Sequence, residues 1–152
     1  MIDNKLLDET SYLFNRSYDE DLSSEEEEAI EERAEQMITE YGWENTFSAW
    51  EQYLKENCIT PESVINFANL FWWYGGQDHP IPEPHKFLGY FYYRINMETS
   101  KYDEMDILDS LSTTILKNAG FREADLVLNT QYMPENDPKI IAEVENYRKQ
   151  GV

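Results

Sequence analysis

The middle of the chain, residues 67–95, reads FANLFWWYGGQDHPIPEPHKFLGYFYYRI and decides how the rest can fold. It contains ten of the 22 aromatic residues, both histidines and three of the six prolines. Because each aromatic side chain buries roughly 150–250 Å², this concentration makes the segment the natural centre of a hydrophobic core. The other elements of the chain are therefore expected to pack around it.

The first half of this segment completes a helix that begins a few residues earlier. Thr60 is a suitable N-cap, and Pro61 stands at the first helical position, where its missing N–H costs nothing. The aromatic run at residues 71–74 leaves no polar face, which predicts that this end of the helix is enclosed on several sides. The two glycines at residues 75–76 are expected to end the helix.

The second half predicts an extended arm and then another helix. Three prolines alternate along residues 80–84, which keeps the residues between them out of helical conformation. Pro84 can start the second helix. Its inner face is marked by Leu88, Phe91 and Ile95, with Tyr90 and Tyr93 further round.

Two interpretations of this aromatic hairpin stay open at the level of sequence. In the first, the aromatic side chains simply fill the core between the two helices. In the second, they form the walls of a ligand cleft beside the proline arm. The candidate cleft residues are Trp72, Trp73, Tyr74, His79, His85, Tyr90 and Tyr93.

The segment before the hairpin predicts three helices. An apolar stripe in residues 2–14 indicates an N-terminal helix, which an acidic linker follows. Ser24 and Glu27 have the spacing of a capping box, and the helix that they begin runs to Gly42. A third helix is expected over residues 43–58.

The segment after the hairpin predicts further helices with short connections. A polar break comes first, and Ser100 with Asp103 resembles an N-terminal cap. Gly120 ends the helix that follows, and residues 121–128 suit a shorter helix. Asp137 is the expected N-cap of the last one, because a proline follows it.

Together these patterns predict an all-α protein, a single compact domain of about seven or eight antiparallel-packed helices with an aromatic central hairpin. We expect one helical domain over residues 1–152, because this length suits a single core. The N-terminal helix and the acidic linker would occupy residues 1–22, and the helical core residues 23–149.

The net charge of −19 is distributed unevenly along the chain. Residues 1–60 carry 17 acidic and four basic side chains, whereas the remaining part carries 14 and eight. Nucleic acids and anionic membrane surfaces would repel such a chain, and a basic protein would be attracted to it. We therefore predict a basic protein partner, with no direct nucleic-acid binding and no membrane binding.

The chain begins Met-Ile-Asp-Asn and has neither a basic leader nor a long apolar run. We accordingly expect no signal peptide and no membrane span, and cytoplasmic localisation is the default. Cys58 is the only cysteine, so an internal disulfide is impossible. A buried packing thiol is the expected role of this residue.

No motif for catalysis or cofactor binding stands out. His79 and His85, with Asp78 and Glu83 nearby, offer ligand types that suit zinc, but six residues separate the two histidines. Helical metalloprotease sites instead place two histidines four residues apart. The sequence therefore predicts no catalytic residue, no metal site and no cofactor.

The strongest surface signal is a run of ten carboxylates within residues 19–35, interrupted by one base, Arg33. One interpretation is a solvated helix face that keeps the protein soluble. The other is a docking surface for a basic protein, in which neighbouring aromatic side chains act as anchors. The predicted partner-binding residues are Glu25, Glu27, Glu28, Glu31, Glu32, Glu35, Tyr41 and Trp43.

The leading functional hypothesis is an acidic protein-interaction module. By analogy of class, it would be an immunity-type inhibitor that blocks a basic partner such as a nuclease toxin. One alternative is a helical scaffold that binds a peptide in an aromatic groove. Another is a metal-dependent enzyme that uses the His79/His85 arm.

Overall fold

A computed structural model of the chain describes residues 2–17, 21–76, 78–95, 104–121 and 134–151. Within these ranges there are seven α-helices and no β-strand, which confirms the predicted all-α class. The helices are α1 (Asn4–Ser17), α2 (Ser24–Tyr41), α3 (Trp43–Asn57), α4 (Pro61–Phe71), α5 (Pro84–Ile95), α6 (Glu104–Asn118) and α7 (Pro138–Gln150). A π-helical turn at Trp72–Gly76 continues α4, and a short 3-10 turn at Pro134–Asn136 precedes α7.

Three of the predictions fall wholly or partly outside the described residues. These are the acidic linker after α1, the cap formed by Ser100 with Asp103, and the short helix over residues 121–128. Of the helices that are described, none is both long enough and apolar enough to cross a lipid bilayer.

Local sequence signals set most of the helix ends. Thr60 caps α4 by accepting a hydrogen bond from the backbone N–H of Ser63, with Pro61 at the first position as predicted. Asp137 caps α7 in the same way, accepting from the backbone N–H of Lys139 at 2.9 Å. Gly42 separates α2 from α3 and donates its N–H to the carbonyl of Ile38.

The capping box of α2 lies one residue earlier than the sequence predicted. Ser23, not Ser24, is the N-cap, and its hydroxyl accepts from the backbone N–H of Glu26 at 3.2 Å. The Glu26 carboxylate accepts the N–H of Ser23 in return and also pairs with Arg16 of α1. Consecutive serines before consecutive glutamates fit the motif in two registers, and the ion pair with α1 favours this one.

The aromatic hairpin of α4 and α5 lies at the centre of the core, as expected. Phe67, Phe71, Phe87 and Phe91 are all buried and contact one another at ring-centroid distances of 4.9–6.4 Å. Further aromatic side chains from α1 and α3 surround them: Phe14, Phe47, Trp50 and Tyr53. On the far side α7 packs closely on α5, where a Cβ on Gly89 would lie 2.6 Å from the Cβ of Glu143.

The π-helical turn corrects one expectation about this hairpin. The sequence predicted that the end of the helix at residues 71–74 is enclosed on several sides, but Trp73 is 68% exposed. A π turn adds a residue to the helical repeat, which rotates Trp73 outward while Tyr74 points into the core. The turn lies against α2, since a Cβ on Gly75 would come within 2.7 Å of Ile38 Cδ1.

Candidate interaction site

Helix α2 presents a row of carboxylates to solvent. Those of the predicted partner-binding set, Glu25, Glu27, Glu28, Glu31, Glu32 and Glu35, are all exposed. Within the described parts of the chain none of these six forms an ion pair. The one base of this helix, Arg33, points instead toward α1, where it pairs with Glu9 at 3.5 Å and lies over the ring of Tyr12.

The helical repeat divides five of these six acidic residues between two sides of α2. Counted from the buried stripe that contains Ile30, Glu28, Glu32 and Glu35 lie on the opposite, outer face. We call these three residues the outer acidic face. Glu27 and Glu31 lie instead beside the buried stripe, on the side that faces the π-helical turn.

A groove of about 270 Å³ lies between this side of α2 and the π-helical turn. Its lining combines two carboxylates, one exposed aromatic ring and several apolar side chains. The lining residues are Ser17, Leu22, Glu27, Ile30, Glu31, Leu70, Trp73 and Tyr74. We call it the Trp73 groove.

Tyr74 forms a fixed wall of the Trp73 groove. Its hydroxyl hydrogen-bonds the hydroxyl of Ser17 at 2.6 Å, which ties the π-helical turn to the end of α1. Burial raises the pKa of Tyr74, the hydrogen bond with Ser17 opposes that rise, and the nearby carboxylates of Glu31 and Glu27 add to it. Both carboxylates therefore act electrostatically on the interior of the groove.

The two aromatic residues predicted as anchors, at the end of α2 and the start of α3, pack inward and do not line this groove. Tyr41 and Trp43 are both half-buried against the core. The indole Nε1 of Trp43 donates to the carbonyl of Pro80 at 2.7 Å, and its ring stacks on His79 at 4.7 Å. The structure thus uses Trp43 to hold the proline arm, and a role for either residue in partner binding stays a prediction.

The seven residues of the candidate ligand cleft lie in different parts of the described structure. Trp73 and Tyr74 line the Trp73 groove, and Trp72 beside them packs partly against the core. Tyr90 is fully buried and donates its hydroxyl to the carbonyl of Cys58 at 3.1 Å. Tyr93 stacks on Tyr147 of α7. In this conformation Tyr90 is therefore inaccessible to a ligand.

The two histidines have different neighbours. His79 stacks on Trp43, whereas His85 lies edge-on to Phe121 and 3.9 Å from the carboxylate of Asp137. Burial lowers the pKa of His85, and the Asp137 carboxylate partly opposes that shift. Across the described residues, no three His, Cys, Asp or Glu side chains are grouped so that they could hold a metal ion.

Sequence reasoning missed the apolar part of the Trp73 groove. The sequence pattern gave no sign that Leu22, Ile30 and Leu70 would meet beside Trp73. The useful signal was the pair of glycines directly after Trp73 and Tyr74, because it allows the chain to depart from a regular helix. That signal alone does not specify which of the two rings turns outward.

Comparison with known proteins does not supply a function for this site. The chain matches no protein-family model, no curated protein and no solved structure. Its function is therefore inferred from the geometry and charge described above.

Proposed function

We propose that this protein is an acidic interaction module that binds and blocks a basic partner protein, as an immunity protein blocks a nuclease toxin. The observation that carries the proposal is the exposed carboxylate row of α2, which has no intramolecular counter-ion within the described residues. Charges left unpaired in this way remain available to a partner of opposite sign.

The charge of the whole molecule supports the same proposal. A net charge of −19 produces a negative potential that draws in cationic surfaces and speeds their association. Because surface charges are screened beyond about 8 Å at physiological salt, only the acids near the contact determine orientation. The outer acidic face of α2 supplies these acids.

The mechanism of inhibition follows from this placement. A nuclease grips phosphates with cationic side chains, and the same side chains would pair with the carboxylates of α2. The six exposed carboxylates along residues 25–35, which exclude Glu26, correspond to about one charge per 3 Å of helix axis, against about one per 1.7 Å in duplex DNA. Inhibition would therefore depend on placing carboxylates at the partner's cationic groups and on steric exclusion of substrate.

The test compares two triple charge reversals of equal size. The first replaces Glu28, Glu32 and Glu35 on the outer acidic face with Lys. The second, the matched control, replaces three exposed glutamates of α3 and α4 with Lys: Glu44, Glu56 and Glu62. Immobilised wild type and both variants, each first shown to be folded by circular dichroism, are exposed to extract of the producing cell at low and at high salt.

We expect wild type and the control variant to capture the same basic protein at low salt and to release it as salt rises. The outer-face variant should fail to capture it. Nuclease activity of the captured protein should fall when wild-type protein is added. Equal capture by both variants, or a captured protein whose activity is unaffected, would contradict the proposal.

A further inference from the structure

We infer that the Trp73 groove receives an arginine side chain of the basic partner, which stacks on Trp73 and pairs with Glu27 and Glu31. This inference rests on the proposed function and adds the chemical identity of the group that is recognised. The outer acidic face attracts the partner in general, whereas the groove would recognise one particular side chain.

The size of the groove suits a single side chain. At about 270 Å³ it lies below the roughly 300–1,000 Å³ typical of pockets for drug-sized ligands. Its apolar lining, supplied by Leu22, Ile30 and Leu70, can cover the methylene stem of a long cationic side chain. The charged end would then reach the carboxylates at the rim.

The aromatic ring and the two carboxylates favour arginine over lysine. Trp73 is 68% exposed, so its indole is open to a planar guanidinium, and tryptophan is the best partner in cation–π contacts. Glu27 and Glu31 are four residues apart on one helix, a spacing that brings their Cβ atoms within about 6 Å. A guanidinium has five donors and can bond both carboxylates, whereas an ammonium is a compact point charge.

The chain's own nearby arginines have other partners. Arg16 pairs with Glu26, and Arg33 pairs with Glu9, both on the side of α2 that faces α1. Tyr74 already hydrogen-bonds Ser17. Within the described residues, the carboxylates of Glu27 and Glu31 have no ion-pair partner, and their exposure leaves them able to exchange water for a cationic donor from a partner.

The experiment uses the intact ¹⁵N-labelled protein and two small probes, N-acetyl-arginine methylamide and N-acetyl-lysine methylamide. Nuclear magnetic resonance follows the indole N–H of Trp73 and the backbone N–H groups of Ile30 and Tyr74 during titration. We expect the arginine probe to shift all three signals and to bind more tightly than the lysine probe. Trp73→Ala should abolish the shifts of Ile30 and Tyr74.

Two double glutamine variants distinguish binding in the Trp73 groove from a general effect of negative charge. Glu27→Gln with Glu31→Gln should weaken the arginine probe about fivefold, the combined effect of two exposed ion pairs. The matched control, Glu28→Gln with Glu32→Gln, removes the same charge from the outer acidic face and should change the affinity less than about twofold.

Three results would overturn the inference: no shift at Trp73 with the arginine probe, equal binding of the lysine probe, or equal weakening by both glutamine pairs. Its failure can be told apart from failure of the proposed function. Loss of partner capture by the outer-face variant, together with no response of Trp73 to arginine, would reject the groove and retain the inhibitor. If the groove binds arginine but the protein captures no basic partner, the groove would be retained and the inhibitor rejected.

Discussion

Gly75 allows the π-helical turn to pack closely against α2. Its φ of 143° is a conformation that side chains rarely adopt, and its Cα lies so close to α2 that a Cβ would overlap Ile38 Cδ1. This approach lets Tyr74 reach Ser17 while Trp73 remains in solvent. Gly75, together with Gly76, thus permits the turn that forms one side of the Trp73 groove.

We expect Gly75→Ala to destabilise the protein by about 1–3 kcal/mol, because it combines backbone strain with overpacking against α2. Urea unfolding measures the change. Ile38→Val removes the Cδ1 atom that the new Cβ would meet, so Gly75→Ala should be less destabilising in an Ile38→Val background. No loss of stability from Gly75→Ala would mean that the turn has a different conformation.

Short sequence motifs predicted some helix N-termini correctly and missed others. Thr60-Pro61 and Asp137-Pro138 specified their caps, because one polar acceptor followed by proline fits only one register. Ser23 and Ser24 fit two registers equally well, and the contact of Glu26 with Arg16, distant in sequence, favours one. A short motif therefore predicts a helix end correctly only where it fits a single register.

Among the helices, α2 packs one face into the core and carries like charges on the opposite face that destabilise it. Ile30, Ala34 and Met37 bury one stripe of the helix. On the outer acidic face, Glu28 and Glu32 are four residues apart, a spacing at which like charges destabilise a helix. The arrangement is therefore unfavourable for α2 alone, and under the proposed function a cationic partner would relieve the repulsion.

Replacing Glu28 and Glu32 with Gln should consequently stabilise the protein by about 0.5 kcal/mol at low salt. The gain should shrink at high salt, since screening already weakens the repulsion. Glu26→Gln is the contrasting variant on the same helix: it weakens the ion pair with Arg16 and should destabilise. If the Glu28/Glu32 pair of substitutions also destabilised, the outer carboxylates would be serving the fold itself.

Among the helices, prediction from sequence succeeded for the regular segments and failed at the π-helical turn. The stripes of α2 to α5 were recognisable because buried positions recur every three or four residues. The π-helical turn breaks that period at Trp72–Gly76, and all four residues before Gly75 are aromatic, so hydrophobicity could not indicate which ring lies outside. The Trp73 groove depends on this departure from the helical repeat, so the pattern of hydrophobic residues could not predict it.

For the whole molecule, the aromatic core that makes the fold predictable also affects its response to pH. Burial raises the pKa of Tyr53 to about 12, with a smaller contribution from Cys58. Burial raises the pKa values of Tyr74, Tyr90 and Tyr147 as well. The folded state therefore holds these phenols neutral at pH values where the unfolded chain would ionise.

We expect the free energy of unfolding to fall steadily from about pH 10 to about pH 12, because the unfolded state loses its phenolic protons first. Below about pH 10 this contribution is fully present. Tyr53→Phe should reduce the slope, although it also loses the hydrogen bond to Asn15 at every pH. Tyr12→Phe is the matched control, since it removes a phenol that is 59% exposed. Identical slopes in all three proteins would contradict this account.

The charge of the whole molecule leads to the central claim, that carboxylates on α2 guide a cationic partner into place. Electrostatic guidance acts mainly on the rate of association and is lost as salt screens it. If the net charge alone set the association rate, reversing any three exposed glutamates would slow association equally. A directed effect would depend on the outer acidic face of Glu28, Glu32 and Glu35.

The most direct test is therefore the association rate constant of the captured basic partner, measured by stopped flow at increasing salt for wild type and both triple reversals. We predict that the outer-face reversal slows association about tenfold or more at low salt and that the difference narrows as salt rises. The reversal of Glu44, Glu56 and Glu62 should have a much smaller effect. Equal slowing by the two reversals, or none by either, would contradict the claim that α2 is the docking surface.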